Sequence, residues 1–303
     1  MDARSASAWR TVFAYVGSGA NVDVLKFSHE KGLFKKHGLN MTMIYVTTGV
    51  MSTQAVVAGT SSAATAPVTD VLNAVAEGAP MKIIMVNIDR FDHFLMAREE
   101  IKKPNDLKGK KIAVSRHGSF SDIETRTFLR QWGMDPDKDV QFLQLGNAAS
   151  RAAALATGGV DAAMVTSSFT PVAKKAGFNI LFDMSTTQSK FANRSVVASD
   201  RLIKEQSHIV TAIIAGFVEG TRYWKANPED AKAYLKKTYR LLDADLETLY
   251  SGVSRLMRSE PTPDLDGIRN AWESIPTLKA RGAVDLGKFV DTRFIGEVLK
   301  EMR

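Results

Sequence analysis

The sequence predicts an α/β fold in two lobes, and three observations predict it. Apolar runs of strand length alternate with segments of helical spacing from Thr11 to Phe182. Two polar stretches, Asp89 to Met96 and Asp183 to Arg194, interrupt that alternation as crossing segments would. The chain, at 303 residues, is also long for a single compact core.

In chain order, Thr11 to Val16 reads as a buried strand, followed by Gly17-Ser18-Gly19-Ala20-Asn21 and a helix over Val22 to Lys36. Gly38 closes that helix, since glycine accepts the left-handed cap without strain. Asn40 to Val46 is the second strand, Gln54 to Ala58 a short helix, and Ser62 to Ala66 a strand of small residues. Pro67 opens the next helix, and Met81 to Asn87 is another buried strand. Ile112 to Val114 starts a second set: helix Asp122 to Trp132, strand Val140 to Leu145, helix Ala148 to Ala156 and strand Val160 to Val165. A short helix at Pro171 to Ala176 and a strand at Asn179 to Phe182 complete it. Beyond Asp200 the spacing is helical, in segments 200–226, 228–239, 245–259, 264–279 and 285–302. Asp or Pro stands at several of their starts, where caps belong.

Composition narrows the function classes. An apolar fraction of 45% and a charged fraction of 24% are those of an ordinary globular protein. The net charge of +7 is spread among acidic residues, without a basic block or basic–aromatic interleaving, so no nucleic-acid partner is expected. A mild positive field suits capture of small anions. The absence of cysteine excludes disulfides, thiolate metal sites and a cysteine nucleophile. No apolar run reaches the roughly 18–20 residues of a membrane span. The small, polar opening from Met1 to Arg10 reads as the start of a mature domain whose export signal has been replaced by Met1.

One stretch carries chemistry. Asp106 to Ser121 runs from a polar turn through the strand Ile112 to Val114 into a loop with Ser115, Ser119 and Ser121, then a helix. This arrangement aims backbone N–H groups and a helix N-terminus at an anion, and it is also the form of any βα connection. No P-loop and no Gly-x-Ser-x-Gly elbow is present. His93 and His117 lack metal-ligand spacing, and Asp89 and Asp92 beside His93 do not converge with a further ligand, so neither a metal nor a cofactor is expected.

The order of motifs resembles the periplasmic substrate-binding proteins of nitrate/sulfonate/taurine-type ABC importers. Four segments carry the resemblance: Glu30-Lys31-Gly32-Leu33-Phe34-Lys35-Lys36-His37-Gly38-Leu39; Asp106-Leu107-Lys108-Gly109-Lys110-Lys111-Ile112-Ala113-Val114; Ala153-Ala154-Leu155 through Gly159-Val160-Asp161-Ala162; and Trp224-Lys225-Ala226-Asn227-Pro228-Glu229-Asp230-Ala231. The chain departs from the pattern at Gly59 to Ala66, where relatives often carry an acidic residue; here Asp70 comes later. The resemblance implies a type II binding-protein fold with two crossing strands as hinge. Lobe 1 would comprise residues 1–90 and the mainly helical 193–303, and lobe 2 residues 91–192. It further implies a periplasmic monomer that delivers a small-molecule ligand to an importer permease and catalyses nothing.

In such a fold, loops at the carboxyl ends of strands face the cleft. The expected ligand-binding residues are Ser18, Asn21, Thr48, Gly49 and Pro67 from lobe 1, with Gly118, Ser119, Ser121, Thr166 and Ser167 from lobe 2. Gly17, Thr47, Ala66 and Ser168 sit beside them. Arg90, His117 and Arg194, with Arg116, would meet a sulfonate or carboxylate. Phe91, Phe120 and Phe169 would sandwich an aromatic ligand. Plain turn chemistry and surface arginines are the competing explanation of these residues. The competing functions are an enzyme on the same fold, resembling menaquinone-pathway or thiamine-pyrimidine synthases, and a cytosolic ligand-sensing module. The former lacks the cysteine-rich motif of the pyrimidine synthases and leaves His117 as its candidate acid or base. The latter lacks an attached DNA-binding unit.

Overall fold

The computed structural model describes residues 9–17, 19–166, 169, 173, 175–183, 190–240 and 243–302. Ser18, Ser167, Ser168 and half of the helix expected at 171–176 (residues 171, 172 and 174) lie outside the described residues.

Two five-stranded mixed sheets organise the molecule. The first is built from β1 (Trp9–Val16), β2 (Leu39–Val46), β3 (Ala63–Pro67), β4 (Met81–Ile88) and, much later in the chain, Arg194–Ser199, which is β10. Its order is β2-β1-β3-β10-β4. β1 pairs in parallel with β2 and β3, whereas β10 runs antiparallel to β3 and β4. The second sheet contains β5 (His93–Ala97), β6 (Lys111–Val114), β7 (Gln141–Gln144), β8 (Ala162–Thr166) and β9 (Asn179–Asp183), in the order β7-β6-β8-β5-β9. Here β5 is the antiparallel strand, between β8 and β9. Each sheet thus takes one inner strand from the chain just after it has crossed between lobes.

Burial explains the strand content. β3 is Ala-Ala-Thr-Ala-Pro and fully buried, and its small side chains let flanking helices approach closely. β5 is a correction to the sequence reading, which took Asp89 to Met96 for a crossing segment: His93–Ala97 is a buried strand. Its polar first residue is accommodated because carboxylates of Asp92 and Glu124 face the ring.

The helices are α1 (Ala20–Glu30), α2 (Leu33–Lys36), α3 (Gly49–Val57), α4 (Val68–Ala76), α5 (Phe120–Gln131) and α6 (Ala148–Ala156), followed by the carboxy-terminal set. The single helix expected over Val22 to Lys36 is two, because Gly32 adopts φ +73° between them. The expected helix 200–226 likewise divides into Asp200–Glu205 and Ser207–Ala226, and 264–279 into Leu265–Glu273 and Pro276–Lys279. Ser207–Ala226 packs on α1 and α2 through two glycines. A Cβ at Gly220 would lie 1.8 Å from Ser28 Oγ, and one at Gly216 2.3 Å from the Phe34 ring, so only glycine permits this approach. Leu265–Glu273 packs on α4, so the carboxy-terminal helices cover the first sheet.

Two segments lead from one sheet to the other, with 89–92 and 190–193 as their described parts. They are tied together: Phe191 N donates to Asp89 O (3.1 Å), Asn193 N to Ile88 O (3.0 Å) and Asn193 Nδ2 to Arg90 O (2.9 Å). The Phe91 and Phe191 rings stack at 4.5 Å between centroids.

Candidate functional site

A cavity of about 70 Å³ lies where the two sheets face each other. At roughly 10–15 Å³ of such volume per water, it holds about five water-sized positions, the scale of a charged headgroup with a short tail. Lobe 1 contributes Val16, Gly17, Thr47, Thr48, Gly49, Pro67 and Asp70 to its wall, and β10 adds Arg194. Lobe 2 contributes His93, Ser115, Arg116, Ser119, Phe120, Ser121, Gly146, Asn147, Ala148, Arg151 and Thr166.

The starts of four helices form much of this wall. Thr48 caps α3, accepting from Met51 N at 3.2 Å; Pro67 precedes α4; Ser119 precedes α5; Asn147 caps α6, accepting from Ser150 N at 2.9 Å. Each helix start bears partial positive charge from its unpaired N–H groups. Gly49 is required by the packing at this wall, since a Cβ there would sit 2.1 Å from Asp70 Oδ2 and 2.7 Å from Pro67 Cδ.

Three arginines add full charges, each held differently. Arg116 Nη2 reaches across from lobe 2 to Asp70 Oδ1 of lobe 1 at 2.8 Å. Burial raises the Asp70 carboxyl, and Arg116 and Arg194 pull against that rise. Arg194 places Nε 3.7 Å from Asp92 Oδ2 and its guanidinium 5.8 Å over the Phe120 ring. Arg151 is 3% exposed. Its Nε donates to Met164 O at 2.6 Å and its Nη1 to Gly146 O, and among the described residues no carboxylate pairs with it. Burial and the neighbouring Arg194 lower its pKa to about 10, still far above neutrality.

One wall residue, His93, belongs to a buried cluster whose other members, Asp92 and Glu124, lie behind the wall. His93 Nδ1 is 2.7 Å from Glu124 Oε2 and 3.1 Å from Asp92 Oδ1, all three residues nearly inaccessible. Asn193 Nδ2 donates to Asp92 Oδ1 at 2.9 Å. For Asp92, burial acts upward but Arg194 and His93 outweigh it, leaving the carboxyl well below its usual range. Burial raises the Glu124 carboxyl, with His93 opposing. The donor atoms of Asp92, His93 and Glu124 lie within 4.8 Å of one another. The sequence reading found nothing converging on His93; Glu124 arrives from α5, which sequence spacing does not reveal.

Of the expected residues, Thr48, Gly49, Pro67, Ser119, Ser121, Thr166 and Arg194 come together in the wall. Four are placed elsewhere. Asn21 is buried and accepts a hydrogen bond from Asn87 Nδ2. Arg90 is tied to Asp89 at 3.3 Å. The His117 ring is half exposed, 3.8 Å from Asp122. Gly118 donates its N–H to Asp122 Oδ2 at 2.9 Å. The serines of the 115–121 loop also satisfy each other: Ser115 Oγ donates to Ser119 Oγ at 2.6 Å, and Ser115 N to Ser121 Oγ at 2.9 Å. Of the three phenylalanines, Phe120 lines the cavity, Phe91 stacks behind it at 5.8 Å, and Phe169 packs in a separate core cluster. Asn147 and Arg151 were missed, because Asn-Ala-Ala-Ser-Arg-Ala-Ala reads as an exposed alanine-rich helix.

Comparisons with known proteins agree with this architecture. A provisionally named binding protein of Brucella abortus is 28% identical over 277 residues, covering 86% of this chain and 81% of that protein. A Bordetella bronchiseptica structure superposes with a TM-score of 0.83 at 20% identity, covering 97% of this chain and 98% of that one. The periplasmic aliphatic sulphonate binding protein SsuA of Escherichia coli superposes with a TM-score of 0.75 at 19% identity, covering 93% and 97%. The family model described as NMT1/THI5 like matches residues 24–231. With the two-lobed fold of the periplasmic binding proteins and this match over most of its length, the chain belongs to the NMT1/THI5-like family.

Proposed function

We propose that this chain is the solute-binding component of an ABC importer and captures a small organic anion, a sulfonate or carboxylate, between its lobes. The observation that carries this reading is Arg151: a buried guanidinium facing the cavity with carbonyl partners but no carboxylate. A buried cation whose nearest carboxylate, Glu124, acts on it only at longer range is costly to hold, and a bound anion lowers that cost while gaining charge-assisted hydrogen bonds. Arg194 and four helix starts reinforce the preference. The Escherichia coli neighbour binds aliphatic sulphonates in the periplasm, and the Brucella relative is named for binding, which supports the same class and location here.

On this reading lobe 1 comprises residues 1–90 and 193–303, lobe 2 residues 91–192, and the protein acts as a periplasmic monomer that hands its ligand to a permease. Segments 89–92 and 190–193 bend as a hinge, and contacts from both lobes favour the closed form. Thr48, Gly49, Pro67, Ser119, Ser121, Thr166, Arg151 and Arg194 are the proposed ligand contacts. A second reading rests on the His93–Glu124 pair at the wall, which has the form of a general acid/base pair for an enzyme.

Thermal unfolding against alkanesulfonates, aromatic acids, nitrate and thiamine precursors tests both, because ligand bound to the folded state raises the midpoint. A shift with one acid class and unaltered ligand on recovery is the expected result. Shifts with neutral or cationic compounds alone would overturn the anion reading; a chemically altered ligand would establish the enzyme.

A further inference from the structure

Arg151 keeps its charge at neutral pH, but the nearby imidazole of His93 need not. His93 lies 3% exposed with its Nδ1 edge turned to Asp92 and Glu124, while the ring also lines the cavity. Nδ1 can carry one proton, and two carboxylate oxygens compete for it. Among the described residues neither oxygen of Glu124, nor His93 Nδ1 itself, makes a hydrogen bond of regular geometry, so the cluster is held by charge at short distance. Arg194 acts on Asp92 and Arg151 on Glu124, Thr166 stands opposite His93 in the sheet register, and the Phe120 ring lies at 5.3 Å. A neutral ring would offer these two buried carboxylates a donor but no positive charge. An imidazolium balances Glu124 as Arg194 balances Asp92.

We propose that His93 is a ligand-contacting residue of the anion site, held as an imidazolium by Asp92 and Glu124 and presenting its other edge to the bound acid group. This rests on the anion reading above and deepens it, making capture proton-linked. Burial works against the charged ring, but Glu124 and Asp92 together outweigh it and raise the pKa of His93. The added positive group is therefore present at neutral pH and lost on the alkaline side. Ligand held in the closed cleft is released more readily as pH rises.

Calorimetric titration with ethanesulfonate tests this from pH 5.5 to 10, because the probe does not ionise in that range. Wild-type affinity should hold at low pH and weaken at least fivefold toward pH 10. His93→Gln should bind more weakly and lose this dependence, whereas Glu124→Gln should move the transition to lower pH. Histidine ring NMR of the wild type avoids reliance on the variants' folding: saturating ethanesulfonate should raise the His93 titration midpoint. Affinity flat with pH, or an unmoved midpoint, would overturn the proposal while the binding itself left the anion reading standing. Stoichiometric zinc that abolishes the His93 titration would also overturn it, assigning Asp92, His93 and Glu124 to a metal. Absence of binding by ethanesulfonate or any other organic anion would instead defeat the underlying reading.

Discussion

Asp23 in the first lobe and Arg151 in the second are mirror-image problems. Both are charged residues almost sealed from solvent, and neither forms an ion pair among the described residues. Asp23 sits in the first turn of α1 and accepts hydrogen bonds from Tyr239 Oη at 2.8 and 3.0 Å. Burial pushes its carboxyl up to about 7, against the pull of Tyr239 and Lys26, so it can shed its charge by taking a proton near neutrality. Arg151 has no such exit, because even its lowered pKa of about 10 leaves it charged. The acid can solve its problem from within. On the proposed reading the base, only partly offset by Glu124, draws an anion from outside, and the second lobe more than the first would set the class of ligand.

The comparison breaks most sharply at Arg151. Arg151→Gln should weaken anion binding roughly a thousandfold, about 4 kcal/mol, while the ligand-free protein unfolds within about 1 kcal/mol of wild type. Calorimetry with denaturant unfolding separates the two; a large loss of ligand-free stability with affinity intact would make Arg151 purely structural.

Asp23 offers the next largest effect. Its folded-state pKa stands above the unfolded value of 3.8, so from about pH 4 to 7 the unfolded chain releases a proton that the folded state retains. Its stabilising contribution, present at low pH, is lost across that window, by about 4 kcal/mol at most. Asp23→Asn should remove this component, seen as a flatter stability profile between pH 4 and 7. An unchanged profile would mean that Asp23 is ionised in the fold.

The smallest effect belongs to Asp70, a buried acid that does have a cation. Asp70→Asn removes negative charge from the wall and frees Arg116, and should tighten anion binding two- to fivefold, under about 1 kcal/mol. Weaker binding would show that the Asp70–Arg116 bridge between lobes matters more to closure than its charge costs the ligand.

These three residues also mark what could be read from sequence. The alternation of strands and helices carried the two-lobed fold, since buried runs such as Ile83 to Val86 and Ile112 to Val114 have few other uses. Loops after strands carried Thr48, Ser119 and Thr166, because that end of each strand opens on the cavity. Arg151 stayed hidden in an alanine-rich helix whose exposed reading is the commoner one, and its burial depends on where α6 packs. His93 was visible only as a polar residue in an awkward place, for its partner Glu124 belongs to another element. His117 drew notice through its neighbouring glycine, yet its ring points to Asp122 at the rim. Local chemistry is legible from spacing, but which side chains converge from different elements is decided by packing.

The strand order bears on how the molecule is made. β10 occupies an inner place in the first sheet, between β3 and β4, yet it is synthesised after every strand of the second. Taken from its amino end, the chain therefore cannot complete the first sheet until residue 199 is available. The second sheet has all its strands by residue 183 and can close earlier. The half that comes first in the chain is thus the half whose sheet is completed last in chain order.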